Sequence, residues 1–323
     1  MKRILKDKNI LVTGGAGFIG GSLVRKLQSD NNVVVYDNLF HERLDFSEIK
    51  NSIKFVKGDI LDYDLLESVI RENKINVVVH AAAIAGIDTV TKNPVNTMEV
   101  NAIGTFNVLR ACTANMENIE QVLEFSTSEV FGPTAYKTTE KDKTVTCATG
   151  DARWIYAVSK LAGEHMSSCY HKQYNLPVTT VRPFNVYGPG QVGDSAMRTF
   201  VLNALSDKDI TIHGDGSQIR AWCYIDDFID CIMKCLSDDS AIGECFNIGD
   251  SKSVVVTIFH LAKMIKRLAK SNSEIKFVSA NQADVSLRIP SVEKAKNVLG
   301  FEAAVGIEEG IEKTIEYFRG KND

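Results

Sequence analysis

Between residues 9 and 27 an apolar, β-branched segment, Asn9–Val12, runs straight into Thr13-Gly14-Gly15-Ala16-Gly17-Phe18-Ile19-Gly20, and helical spacing then continues to Leu27. Few folds accommodate three glycines spaced as Gly14, Gly17 and Gly20 at such a junction. The first glycine permits a tight turn out of a strand, the second lets backbone approach a bulky anion, and the third lets the helix pack closely on the strand. Free N–H groups in the first helical turn then face the anion. Strand, glycine turn and helix in that order form the opening unit of a parallel α/β sheet.

The same rhythm continues downstream. Val33–Tyr36, Ile53–Val56, Val77–His80, Val122–Ser126 and Val178–Arg182 read as strands with amphipathic helices between them. Their runs are continuously apolar, as expected of strands covered by helices on both faces. The expected fold class is therefore α/β, with a Rossmann-type doubly wound parallel sheet over residues 1–185. After the turn-rich stretch Asn185–Asp194 the pattern loosens into shorter pieces, including helices at Ser195–Leu205, Asp226–Leu236, Val256–Leu268 and Ile307–Tyr317. A smaller substrate-binding α/β domain is expected over residues 186–323, with a strand at Cys245–Ile248 returning to the first sheet. No repeat or low-complexity linker separates the two.

Composition excludes several functions. In 323 residues, 37 basic and 41 acidic side chains give a net charge of −4 with no block of five like charges, so neither nucleic acid nor an anionic membrane is an expected partner. Apolar runs such as Val77–Ile84 are too short to span a bilayer, and Met1-Lys2-Arg3 leads into a charged, strand-like segment, which predicts a cytoplasmic protein. The seven cysteines, at 112, 147, 169, 223, 231, 235 and 245, are odd in number and include no C-x-x-C pair; they read as reduced thiols. Cys231 and Cys235 share a helix face, but without a His or carboxylate at ligand spacing they read as packing residues. No metal site is expected.

The second strand ends in Asp37, about twenty residues beyond the glycines, where a carboxylate accepts hydrogen bonds from an adenosine ribose. Its charge repels a 2′-phosphate, and Asn38 and the two residues after it are not basic, so NAD is expected over NADP. Arg43 is the nearby group able to overturn that preference; it reads as a solvated surface arginine.

Arg153-Trp154-Ile155-Tyr156-Ala157-Val158-Ser159-Lys160 opens a further helix, so Tyr156 and Lys160 stand one turn apart on one face. Beside a dinucleotide, the ammonium and a cationic nicotinamide both favour phenolate and are expected to lower the Tyr156 pKa toward working pH, letting it take a proton from a substrate hydroxyl. Ser126-Thr127-Ser128-Glu129-Val130-Phe131-Gly132 falls at the C-terminal end of a predicted strand, where ligands of open parallel sheets gather.

Together these motifs resemble the extended short-chain dehydrogenase/reductase family, in its nucleotide-sugar epimerase, dehydratase and decarboxylase branch. The likeness includes Gly58-Asp59-Ile60, His80-Ala81-Ala82-Ala83, Asn101 before Gly104-Thr105, Y-A-V-S-K, Arg182-Pro183-Phe184-Asn185-Val186-Tyr187-Gly188-Pro189 and Gly214-Asp215-Gly216-Ser217-Gln218-Ile219-Arg220. The resemblance implies that Gly14, Gly17, Phe18, Ile19, Gly20, Asp37, Asn38, Asp59, Ile60, Ala81, Ala82, Ala83 and Asn101 surround NAD, with Asp59 and Ile60 bordering the adenine. It implies that Lys160 holds the nicotinamide ribose and that Thr127 assists the sugar O4. Asn185, Arg220 and Arg288 are expected to grip the diphosphate of a nucleotide-sugar substrate, a task suited to a guanidinium fork. The helices around Pro94–Cys112 and Tyr156–Tyr174 correspond to the family's dimer-forming pair, implying a homodimer.

Members of that branch share oxidation of the sugar at C4 and differ in the fate of the 4-keto intermediate. Simple 4-epimerases carry small residues where this chain has Ser128 and Glu129. Dehydratases for dTDP-glucose show Thr-Asp-Glu, and Ser128 replaces their acid; serine is a poor general acid at neutral pH. Thr127-Ser128-Glu129 resembles UDP-glucuronate decarboxylases, and also GDP-mannose and some UDP-N-acetylhexosamine 4,6-dehydratases. Arg153-Trp154-x-Tyr156 and Arg220-Ala221-Trp222 lean toward the decarboxylases. The expectation is C4 oxidation with subsequent elimination or decarboxylation, with Thr127, Ser128, Glu129, Tyr156 and Lys160 catalytic. A 4-epimerase, or a 4-dehydrogenase releasing the 4-keto sugar, is the alternative. His80 reads as structural, and Glu140-Lys141-Asp142-Lys143 as a solvated loop able to cover the sugar.

Overall fold

A computed structural model describes residues 2–40, 52–193, 195–250, 255–279 and 285–320. The first part of the chain runs β1 (Asn9–Thr13), α1 (Phe18–Leu27), β2 (Asn32–Asp37), β3 (Ile53–Lys57), α2 (Tyr63–Glu72), β4 (Val77–His80), α3 (Ile87–Lys92), α4 (Pro94–Met98), a π-helical turn at Glu99–Ile103, α5 (Gly104–Ala114) and β5 (Gln121–Phe125). It continues through β6 (Thr134–Thr138), α6 (Ile155–Tyr174), β7 (Val178–Pro183), β8 (Val186–Tyr187), α7 (Ala196–Leu205), β9 (Ile210–His213), β10 (Ile219–Ala221), β11 (Cys223–Tyr224) and α8 (Ile225–Leu236). The remainder comprises β12 (Cys245–Ile248), β13 (Val255–Thr257), α9 (Ile258–Ala269), β14 (Ile275–Val278), β15 (Leu287–Pro290), α10 (Glu293–Leu299) and α11 (Ile307–Arg319).

Seven parallel strands in the order β12-β7-β5-β4-β1-β2-β3 make the main sheet, a Rossmann-type arrangement. Strand order reverses between β1 and β4, and in open α/β sheets ligands bind at the carboxyl ends of the strands beside that switch point. Neighbouring residues within a strand enter opposite cores. Ile10, Val12, Val33, Val35, Val77, Val79 and Leu123 pack on one face, whereas Leu11, Val34, Val78 and Val122 pack on the other. This alternation explains the unbroken β-branched runs, since each fully buried Val or Ile contributes roughly 1.5–3 kcal/mol. The edge strand β3 departs from the expectation of two covered faces: Lys54, Phe55 and Lys57 are exposed, as befits a strand with one neighbour.

A second sheet has the order β13-β10-β15-β6. Two segments are exchanged between the halves of the chain: β6 precedes residue 185 yet lies in this second sheet, and β12 follows it yet pairs in parallel with β7. Two-stranded pieces β8–β11 and β9–β14 complete the lobe, with α7, α9 and α11 packed together. Cys231 and Cys235 are fully buried in α8, where they act as packing residues. Among the described residues, no helix is long and apolar enough to cross a membrane.

Candidate active site

The glycine turn sits at the switch point. Gly14 adopts φ +69°, and a Cβ there would lie 2.6 Å from the Ala82 backbone nitrogen. A Cβ on Gly20 would collide with the Gly14 carbonyl oxygen. Gly17 N-caps α1 without a side-chain cap, and no acidic residue stands in the first turn. The N–H groups of that turn, which have no intrahelical partner, therefore remain available to an anion. Asp37, at the end of β2, is oriented by the cradle itself: its Oδ2 accepts the Ala16 N–H at 2.9 Å and its Oδ1 accepts the Leu39 N–H at 2.8 Å.

On the same rim, Asn38 donates to Asp59 Oδ2 at 3.0 Å, and Ile60 packs where the missing side chain of Gly104 leaves room. Ala81 and Ala82 tie the end of β4 to Thr13, while Ala83 is exposed. Cradle, carboxylate and alanine loop fit a dinucleotide. Asn101 departs from its expected place at the cofactor: it is 1 % exposed and its amide bonds Ile84 N, Ile84 O and Ser159 Oγ, so it braces the β4 loop against α6. Arg43 lies outside the described residues.

At the end of β5, Thr127 Oγ1 accepts the Glu129 N–H at 3.2 Å and so caps the short turn Ser128–Phe131; Ser128 is buried. Thr127 also acts on the Tyr156 phenol of α6, in the direction that lowers its pKa. Burial, and next the Glu129 charge, push the Tyr156 phenol well above its ordinary range. The expected lowering concerns the phenol beside a bound nicotinamide, whose positive charge adds to that of Lys160. The lysine, 2 % exposed, pairs with Glu124 of β5 at 3.6 Å.

Glu129 lies between two guanidinium groups. Arg153 reaches its carboxylate at 2.7 and 3.3 Å, and Arg288 approaches at 3.5 Å while also donating to the Gly132 carbonyl at 3.3 Å. Burial alone would raise the Glu129 carboxyl, but Arg288 and Arg153 outweigh it and hold the group below its usual range. Arg288 thus meets the turn that carries Glu129. Its cross-strand neighbour Arg220 donates to its neighbour's carbonyl, Ile219 O, at 3.0 Å, and Asn185, at φ +42°, donates to Ala221 O at 2.7 Å.

His80 bridges Thr13 and Thr105 at 2.8 and 3.0 Å; burial, with help from Lys160, lowers its pKa to about 3 and keeps it neutral, as a structural residue should be. Glu140 is not simply solvated: its Oε1 accepts the Asn247 N–H at 2.8 Å, anchoring the loop to β12. Two residues beside the site were given no role of their own from sequence, Arg153 and Glu124. The first stood inside the R-W-x-Y motif, and the second was signalled by a lone acidic residue within the apolar strand QVLEF.

A glycine cradle at the switch point of a parallel sheet, with Tyr156 and Lys160 of one helix opposite Thr127, defines a Rossmann-type nicotinamide-dependent enzyme. The chain belongs to the NAD dependent epimerase/dehydratase family, whose sequence profile matches residues 10–249, and NAD is its cofactor. A UDP-N-acetyl-alpha-D-glucosaminuronate decarboxylase of Bacillus cytotoxicus is 33% identical over 325 residues, covering 97% of this chain and 98% of the relative. UDP-glucuronic acid decarboxylase 1 of Xenopus tropicalis is 34% identical over 316 residues, covering 97% of this chain and 72% of the relative. Among solved structures, UDP-glucuronic acid 4-epimerase of Bacillus cereus, in complex with UDP-glucuronic acid and NAD, superposes with a TM-score of 0.87 at 29% identity, covering 97% of this chain and 99% of that one.

Proposed function

We propose that this enzyme decarboxylates a nucleotide-linked hexuronate by way of its 4-keto form. Bound NAD supplies the acceptor and later donor of the C4 hydride. With NAD bound, the positive nicotinamide and Lys160 favour the Tyr156 phenolate, which takes the C4 hydroxyl proton; Thr127 steadies that oxygen, and Lys160 holds the cofactor ribose. Asn185 and Arg220 grip the diphosphate.

The observation that carries the reading is Glu129 held ionised between Arg153 and Arg288. Expulsion of the C6 hydroxyl needs a proton donor, and neither Ser128 nor an arginine-paired carboxylate is one. The same pairing makes Glu129 a weak base toward the C5 proton. A β-keto acid needs neither group to break its bond: the C5–C6 electron pair moves into the C4 ketone as carbon dioxide leaves, and the enolate then takes a proton at C5. Arg288 and Arg153 place positive charge beside that enolate. The two decarboxylase relatives support this reading.

Apolar side chains on α4, α5 and α6 remain exposed, among them Val95 at 70 % and Ile103 of the intervening turn at 51 %. A second copy of the chain is the proposed partner for this face. Seven cysteines without a disulfide suit a reducing compartment, in keeping with a cytoplasmic enzyme.

Incubation of the NAD-loaded enzyme with UDP-glucuronate, UDP-N-acetylglucosaminuronate, UDP-glucose, dTDP-glucose and GDP-mannose, monitored by NMR and product mass, tests the reaction. Release of carbon dioxide from a hexuronate is expected. A product short by one water, or isomeric with its substrate, replaces decarboxylation with dehydration or 4-epimerisation.

A further inference from the structure

Glu124 is an acidic residue in the middle of a sheet. It belongs to β5, is 1 % exposed, and neither carboxylate oxygen has a hydrogen-bond partner among the described residues. Its Oε1 lies 3.6 Å from Lys160 Nζ. One turn beyond Lys160, Gly163 gives it space: a Cβ there would come within 3.4 Å of that same oxygen. A carboxylate buried without hydrogen bonds is costly, and it persists in a fold only where another group depends on it.

We propose that Glu124 is a positioning residue for Lys160, seated behind the ammonium inside the sheet, where it keeps the lysine charged and in place to receive NAD. The proposal rests on the role given to Lys160 above. A lysine this deeply buried discharges readily, because burial disfavours the ammonium by as much as roughly 3–5 pKa units. Burial does lower the Lys160 pKa, and Glu124 opposes the fall; reciprocally, burial pushes the Glu124 carboxyl up to about 7 and Lys160 restrains it.

The other groups around the pair leave this task to Glu124. His80 on β4 is neutral, Glu164 of α6 is bound to Arg182 of β7 through Nε at 3.0 Å and through a second, shorter contact, and Tyr156 of α6 is held as a neutral phenol. Asp replacing Glu keeps the charge but draws it back along the side chain, and Gln keeps the shape while removing the charge.

The experiment is calorimetric titration of NAD into the folded protein from pH 6.5 to 9, with thermal melts to confirm folding, for wild type, Glu124→Gln, Glu124→Asp and Lys160→Met. Wild-type affinity should vary little. In Glu124→Gln the Kd should climb with pH, by up to about tenfold per unit once Lys160 loses its proton, and Glu124→Asp, whose charge is drawn back from the ammonium, should climb less steeply than the amide variant but more steeply than wild type. Should the amide variant not fold, a Glu124→Asp profile steeper than wild type supports the proposal and one equal to wild type overturns it. Wild-type affinity and profile in Glu124→Gln, beside weakened binding by Lys160→Met, also overturn it. Wild-type binding by Lys160→Met removes Lys160 from the cofactor site and takes the underlying reading with it.

Discussion

Arg153, in the turn just before α6, grips Glu129 at 2.7 Å and ties that turn to the one that follows β5. Because the contact spans the whole loop between those elements, it couples the charge of the site to the position of Tyr156, three residues further along the chain.

That contact has a pH signature. The Glu129 carboxyl is held below its unfolded value by Arg288 and Arg153 against burial, so its contribution to stability is present above the ordinary carboxylate range and is lost as pH falls through the depressed value. Arg153→Met should shift the acid limb of the pH–rate profile upward, toward neutrality, and raise the pH at which the protein unfolds in acid. An acid limb identical to wild type contradicts the pairing.

Glu129→Gln should reduce turnover by about a hundredfold, the lower range for loss of preorganised charge at a developing enolate, because the carboxylate holds Arg153 and Arg288 in place. Product NMR under single-turnover conditions reads the effect. Nearly full activity would point to an epimerisation in which this side chain is idle.

Tyr156→Phe removes an oxygen and little volume. Turnover should fall by about two to four orders of magnitude, with NAD affinity nearly unchanged. Near-normal turnover would exclude Tyr156 as the acid–base group.

Calorimetry should find NAD bound more tightly than NADP, because Asp37 is fixed by the Ala16 and Leu39 N–H groups and cannot swing away from a 2′-phosphate without releasing them. Asp37→Ser should narrow the difference. Tighter NADP binding by wild type would reverse the assignment.

Sedimentation should give a dimer for the wild type, and Val95→Glu with Ile103→Lys should convert it to a monomer by placing charge on the exposed apolar face. A monomeric wild type would leave that face to another partner.

Much of this was legible in the sequence because the signals were local. The glycine spacing predicts the turn at Gly14, and the β-branched runs predict β1, β2, β4, β5 and β7 within a residue or so. The features hidden from the sequence depend on pairs that meet only after folding. That Arg288 also meets Gly132 and Glu129 is set by the parallel pairing of β15 with β6, which no local signal gives. Lys160 reads as a partner of Tyr156 one helical turn away, and only folding brings Glu124 of β5 to its ammonium. Asn101 reads as a cofactor contact, but its bonds to Ile84 and Ser159 make it a brace.

The reciprocal placement of β6 and β12 limits how the protein can move. A strand from each half of the chain sits at the edge of the other half's sheet, so the chain crosses between the lobes several times and any relative motion of the lobes must bend several connecting segments together. Cutting the gene near residue 185 would yield two fragments that each lack a strand of their own sheet. Co-expressed, they should recover a working enzyme only by complementation.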